Sequence, residues 1–187
     1  MAGTSDERDP GWFSAGTFLW MLVPAVGLRR ASREAANALQ HVRLVFTSFA
    51  LSLVLIGLVA VLQTSGEGVE ESVSGAVAGI VVAAVGVLSL LAPRIVAPPL
   101  DCSSTETLVA GYRTRFFLRM AFANVAALVG FVGVFLSGEW WPYPLGAAFT
   151  AIGMARLAPT RRNLERDEES LIAAGCGRSL MEALTSG

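Results

Sequence analysis

The sequence contains no lysine: all fourteen of its basic residues are arginines. It has a single histidine, His41, and two cysteines, Cys102 and Cys176, and charged residues make up only 16% of the chain. One histidine and two distant cysteines give no zinc or haem spacing, so neither metal nor cofactor is expected. His41, close to Arg43, reads as a helix-end or interfacial residue rather than a proton relay. No Gly-rich phosphate loop and no nucleophile paired with a base occurs; Cys102 stands among Ser103, Ser104 and Thr105 without an identifiable base. These absences argue against an enzyme. Because the arginines adjoin apolar runs and are interleaved with acids, they also argue against a nucleic-acid partner.

What the chain has in abundance is apolar sequence. Of its 187 residues 53% are hydrophobic, and its mean hydropathy is +0.58. The apolar residues fall in runs at 42–62, 73–92, 116–136 and 141–158. Each approaches the ~20 residues that a helix needs to cross a ~30 Å hydrocarbon core. A chain this short cannot surround four such helices with a soluble shell. The expectation is an all-α membrane protein with four transmembrane helices arranged as two hairpins. The fourth run contains Pro142 and Pro144, so its outer end should start irregularly, with Trp140, Trp141 and Tyr143 suited to an interfacial aromatic belt. Residues 1–40 form an N-terminal segment whose apolar part, 12–28, is interrupted by Pro24 and is expected to lie at the membrane surface or insert into it. The acidic stretch Ser5-Asp6-Glu7-Arg8-Asp9 is not the positive n-region of a signal peptide. The membrane domain is then 41–158, and 159–187 is a helical tail.

Arginine placement assigns the sides. Apart from Arg8, the arginines precede the first run (Arg29, Arg30, Arg33, Arg43), surround the second-to-third connection (Arg94, Arg113, Arg115, Arg119), or lie at and after the end of the fourth run (Arg156, Arg161, Arg162, Arg166, Arg178). The other two connections carry Glu67, Glu70, Glu71 and Glu139 and no basic residue. The positive-inside rule makes the protein a multi-pass cell-membrane protein, with the connection 93–115 and the C-terminus cytoplasmic. Arg113, Arg115 and Arg119 are the expected anchors at the inner headgroups. Cys102 and Cys176 both fall on that reducing side, so no structural disulfide is expected.

The runs also carry close-packing signals. The first and third share a basic entrance, early aromatics and a late glycine, Gly57 or Gly130, while the second and fourth both finish in Leu-Ala-Pro, which reads as a degenerate hairpin duplication. Gly75, Gly79, Ala83 and Gly86 recur on one face of the second run, and Ala123, Ala127 and Gly130 on one face of the third. Asn124, inside AFANVAALVGF, lies beside the second of these seams. An unpaired amide in hydrocarbon costs several kcal/mol, so Asn124 should meet another helix, a backbone carbonyl or a water-filled crevice, with helix packing as the leading use.

Residues 75–137, a Gly-rich helix, a connection containing Ala97-Pro98-Pro99, and then Arg113 to Phe131, resemble the helical hairpin of the rotor-ring c subunit of ATP synthases. That family carries an ion-binding Glu or Asp in an Ala-rich helix, and the resemblance sets Asn124 at the carboxylate position. An amide does not titrate as a carboxyl does, so the likeness implies no rotor-type ion transfer. The whole layout, Arg-only and rich in Ala and Gly, resembles small actinobacterial multi-span integral membrane proteins of unassigned activity.

In the parts expected to be cytoplasmic, Ser103 and Glu106 have capping-box spacing, from which a helix would run on into the third apolar run. Ser179 and Glu182 repeat that spacing before an apolar Leu180, Met181 and Leu184, an amphipathic end that can dock on a partner or pack back on its own chain. Asp167, Glu168 and Glu169 are placed to pair with Arg161, Arg162 or Arg166. The leading reading is a non-catalytic structural or accessory subunit that contacts membrane lipids and either itself or other membrane subunits. The alternative is a small channel or transporter, weakened by the absence of an ionisable residue in the middle of any run.

Overall fold

A computed structural model describes residues 37–64, 72–96 and 100–186. The expected surface or inserted segment 12–28, and the glutamates of the first connection, lie outside these residues. Among the described residues the secondary structure is six α-helices: α1 (Ala38–Thr64), α2 (Gly75–Val96), α3 (Thr105–Ser137), α4 (Pro142–Leu157), α5 (Arg161–Ala173) and α6 (Leu180–Ser186). Three of them, α1, α2 and α3, are long and apolar enough to cross a membrane. At 16 residues α4 is shorter, about 24 Å at 1.5 Å per residue.

The helices begin and end where local chemistry dictates. Asn37 caps α1, its side-chain oxygen accepting from Gln40 N–H at 3.0 Å, and a ring nitrogen of His41 lies 3.1 Å from the Asn37 carbonyl. At α3 the cap is Ser104, not Ser103. Ser104 Oγ accepts from Thr107 N–H, and Thr107 Oγ1 accepts from Ser104 N–H, each at 3.1 Å. This is a reciprocal box in which a hydroxyl replaces the expected Glu106 carboxylate. Ser103 instead donates its N–H to Asp101 Oδ1. From that cap α3 runs unbroken for 33 residues. Its last turn leaves the Leu136 carbonyl without a helical donor, and the N–H groups of Ser72 and Val73 converge on it at 3.1 Å just before α2 starts. Pro142 opens α4 at the first helical position, where a missing N–H costs nothing.

The described chain divides into two compact units, one taken from residues 49–97 and 117–157 and the other from the described parts of 1–48, 98–116 and 158–187. The first unit is the apolar one. Its outward side chains are those that lipid, not water, would tolerate: Val54 is 67% exposed and Ile80 70%. Such density of exposed aliphatics on long helices is the signature of a membrane surface. Inside the unit α4 packs on both α2 and α3. Gly75, Gly79 and Gly86 of α2 meet Glu139, Trp141 and Phe149 respectively, each glycine leaving the space that the facing side chain fills.

α4 also meets α3 backbone to backbone. A Cβ on Gly130 would stand 2.5 Å from the Pro142 carbonyl oxygen, and one on Gly146 would overlap the Ala126 carbonyl. Gly57 of α1 accepts the ring of Tyr143, whose hydroxyl donates to the Leu53 carbonyl. The two late glycines, Gly57 and Gly130, thus meet the same turn of α4. Tyr143 and Trp141 are packing groups here, and only Trp140, 62% exposed, keeps the form of a free interfacial anchor.

Gly146→Ala should destabilise the protein by about 1–3 kcal/mol, because the obstructing atom is backbone and α3 and α4 must separate. Gly177→Ala, where nothing lies within 4 Å, should stay within about 0.5 kcal/mol of the parent. Thermal unfolding of both variants in one detergent measures the difference; equal midpoints would mean that the α3–α4 approach is not made.

Candidate functional site

Two side-chain constellations stand out, one in each unit. The first is the small-residue seam of α3. Ala123, Ala127, Gly130, Val134 and Ser137 repeat at alternating spacings of four and three, and all are buried. The facing positions of α4 are Pro142, Gly146, Thr150 and Gly153, also buried. Thr150 is fully buried and its hydroxyl accepts from Ala127 N–H at 3.2 Å, a hydrogen bond between helices at the centre of the seam.

Asn124 is buried at the edge of this seam, and its amide donates to the Met120 carbonyl of its own helix at 2.9 Å. Of the three environments open to it, the backbone carbonyl is the one it takes. The same device serves the hydroxyls along the apolar helices: Thr47 bonds Arg43 O, Ser48 bonds Leu44 O, Ser89 bonds Gly86 O and Ser137 bonds Gly133 O, each at 2.8 Å. Folding a polar group onto the preceding turn satisfies it without a partner helix. The polar group that does join α3 to α4 is Thr150, which sequence reasoning missed. Its signal was the spacing Gly146, Thr150, Gly153 in the fourth apolar run.

The two predicted seams are not brought together with each other. Gly75, Gly79 and Gly86 are filled by the turn before α4 and by α4 itself, with Ala83 half-buried, while Ala123, Ala127 and Gly130 lie along the neighbouring α3 seam, against Pro142, Tyr143, Gly146, Thr150 and Gly153. Arg113 is exposed, whereas Arg115 and Arg119 are half-buried. Arg43, counted in the sequence only as a basic entrance, is 1% exposed, with its Nε 3.5 Å from the Pro159 carbonyl.

The second constellation is built on the tail. Thr160 caps α5, and Arg161 pairs with Glu165 one turn on at 3.0 Å. The Tyr112 hydroxyl donates to Asp167 at 3.3 Å. The helix stops because Gly175 takes φ +87°, a conformation that side chains disfavour. Cys176 N–H then bonds the Leu171 carbonyl and Gly175 N–H the Ile172 carbonyl, both at 2.9 Å, which is the pattern of a Schellman motif. This turn presents Cys176 to the coil before α3.

Cys102 and Cys176 are joined as a disulfide, with Cα atoms 5.8 Å apart across a sequence separation of 74. The expectation of no disulfide is therefore corrected. It was argued from compartment, whereas the Schellman turn supplies a proximity that compartment says nothing about. Arg178 reinforces the junction: Nε donates to Cys102 O at 3.1 Å, one terminal nitrogen to Ser103 O at 3.1 Å and the other to Thr105 Oγ1 at 3.3 Å. Ser179 Oγ accepts from Glu182 N–H and starts α6, whose Leu180, Ala183 and Leu184 are buried. The amphipathic end packs on its own chain.

Fold and seams together define an all-α, multi-span membrane protein. Comparison with protein-family models, with curated proteins and with solved structures finds nothing that matches this chain. The rotor-ring likeness thus rests on sequence alone. Among the described residues no group of three or more His, Cys, Asp or Glu is placed to hold a metal ion.

The seam ranks its own substitutions. Asn124→Asp should cost most, roughly 2 kcal/mol or more, since it turns an acceptor toward the Met120 carbonyl. Thr150→Val should cost about 0.6–2 kcal/mol, the range of a polar pair between membrane helices. Asn124→Leu should cost less than about 0.6 kcal/mol, because the lost bond is to a carbonyl of its own helix. Detergent unfolding curves give the order; a larger loss for Asn124→Leu than for Thr150→Val would assign the interhelical role to Asn124 after all.

Proposed function

We propose that the chain is a non-catalytic, structural or accessory subunit of a membrane complex, crossing the membrane four times as two hairpins with both the 93–115 connection and the tail in the cytoplasm. The observation that carries the reading is the unequal burial of the spans. In the most apolar stretch of α1 only 11% of residues are buried, against 50% for α3. The seams of α2 and α3 are occupied by the chain's own α4 and its preceding turn, so they ask for no partner. The broad aliphatic face of α1, with Val54, Leu58 and Leu62 exposed, is the larger of the surfaces left for lipid or a neighbouring subunit, beside that of α2 at Ile80 and Leu88.

Support for four crossings comes from the disulfide. Cys102 precedes α3 and Cys176 follows α4, and their bond fits a chain that goes out along α3 and comes back along α4. In this reading α4 serves as the return leg, its ~24 Å made up to membrane thickness by the residues flanking it. A conducting role draws less support, because Asn124 is buried and engaged with its own backbone and offers no polar lining.

Reporter fusions after Gly66 and Glu139 should read outside, and those near Thr105 and Gly187 inside. A cytoplasmic signal at Gly66 would reverse the assignment of sides. Independently, native mass measurement after extraction into mild detergents should recover a homo-oligomer or a complex with another membrane protein. A strict monomer that retains bound lipid along α1 would remove the accessory-subunit reading and leave the fold unaffected.

A further inference from the structure

The proposed topology and the disulfide pull against each other. Arginine placement puts Cys102 and Cys176 in the cytoplasm, a compartment whose thiol pool keeps cysteines reduced and where disulfides are usually transient or sensing. A bond there is one that opens and closes. We infer that Cys102–Cys176 is a reversible thiol switch that clasps the C-terminal helix α6 to the coil leading into α3, and releases it on reduction. The inference rests on the cytoplasmic placement proposed above.

The surroundings suit exchange. The two sulfurs differ in access: Cys176 is 6% exposed, whereas Cys102 is half-buried in a coil between the exposed Asp101 and Ser103. An open cleft of about 320 Å³ adjoins the junction, lined by Thr105, Gly177, Arg178, Ser179, Glu182 and Ala183. Arg178 sets a guanidinium in hydrogen bond with the Cys102 carbonyl, two residues from Cys176.

The step balances with a dithiol as reductant. Its thiolate attacks Cys102 Sγ, the Cys102–Cys176 bond breaks, and Cys176 leaves with the electron pair and takes up a proton. The second thiol of the reductant then attacks the mixed disulfide. Two protein thiols result, and the reductant carries away the new disulfide. Closing is the reverse exchange: a Cys102 or Cys176 thiolate attacks a partner's disulfide, the other cysteine then attacks the mixed disulfide, and the partner leaves as a dithiol with the two electrons and two protons.

What the bond controls follows from the size of α6 and from how it is held. The helix has seven residues, too few to persist unsupported. Among the described residues, its attachment besides the bond is through the three Arg178 hydrogen bonds and the apolar contact of Leu180, Ala183 and Leu184. Opening the bond frees a short amphipathic end; closing it hides that apolar face. The spans, packed through Gly130, Gly146 and Thr150, do not depend on the bond.

The test uses the full-length protein in lipid nanodiscs, oxidised or reduced with dithiothreitol, followed by amide hydrogen exchange. Reduction should speed exchange about tenfold or more across 174–186 while 117–137 stays unchanged. Cys102→Ser should give the fast pattern with or without reductant. Equal protection of 174–186 in both states, or loss of protection throughout 117–137 on reduction, would overturn the switch. In parallel, cells are quenched with acid and the cysteines tagged by mass. A bond fraction that falls under reducing growth and rises with added oxidant supports the switch, and a fraction fixed in every condition overturns it. Labelling of the reduced cysteines by a membrane-impermeant maleimide from outside intact cells would instead overturn the topology on which it rests.

Discussion

Everything in the apolar unit depends on how closely the α3 and α4 backbones approach. Lipid offers no hydrophobic drive for one apolar helix to leave it for another, so contact must come from dispersion and shape, both of which fall steeply with distance. Glycine at 130 and 146 removes the atoms that would hold the backbones apart, and only at that separation does the Thr150 hydroxyl reach Ala127 N–H. The neighbouring contacts are set by the same approach. With α4 pressed on α3, Trp141 and Phe149 project onto Gly79 and Gly86 of α2, and the Tyr143 ring lies over Gly57 of α1. One helix of 16 residues is therefore what the three longer ones share.

Which parts of this were legible in the sequence follows from what each part depends on. The helices α1, α2 and α3 were legible because their cause is local: a run of apolar residues as long as the hydrocarbon is thick. The small-residue faces at Gly75, Gly79 and Gly86 and at Ala123, Ala127 and Gly130 were legible as periodicities. Their counterparts were not, because a groove can be recognised in one helix while the ridge that fills it lies in another. The need of Asn124 for a partner was legible, but its choice of Met120 was a matter of rotamer. The caps show the same limit at short range, since Ser103 and Ser104 compete for one helix start and Asp101 decides by occupying Ser103 N–H. The disulfide was missed because compartment speaks to chemistry and not to distance.

The second unit is organised by a different economy of groups. It is held by directed bonds rather than by small residues: Tyr112 to Asp167, Arg178 to three oxygens, Cys102 to Cys176. Buried leucines at 108, 164, 171, 180 and 184 give it an apolar centre. In a chain-entropy account a covalent link over such a separation stabilises by about 4 kcal/mol against a fully unfolded chain. Against a chain whose membrane helices stay formed the closed loop is far shorter in effect, so the link acts mainly on the tail.

The hydroxyls and the Asn124 amide that bond to the preceding turn of their own helix have a consequence for how the protein is made. A helix that needed a neighbour to satisfy its polar groups would be costly to release into lipid alone and would have to wait at the insertion machinery for its mate. Here Thr47, Ser48, Ser89, Asn124 and Ser137 arrive already satisfied. The helices α1, α2 and α3 can partition into the bilayer singly, in chain order, as synthesis delivers them, whereas α4, with Thr150 and Tyr143, finds its polar partners on other helices. Docking then becomes a separate and later event, left to the glycines.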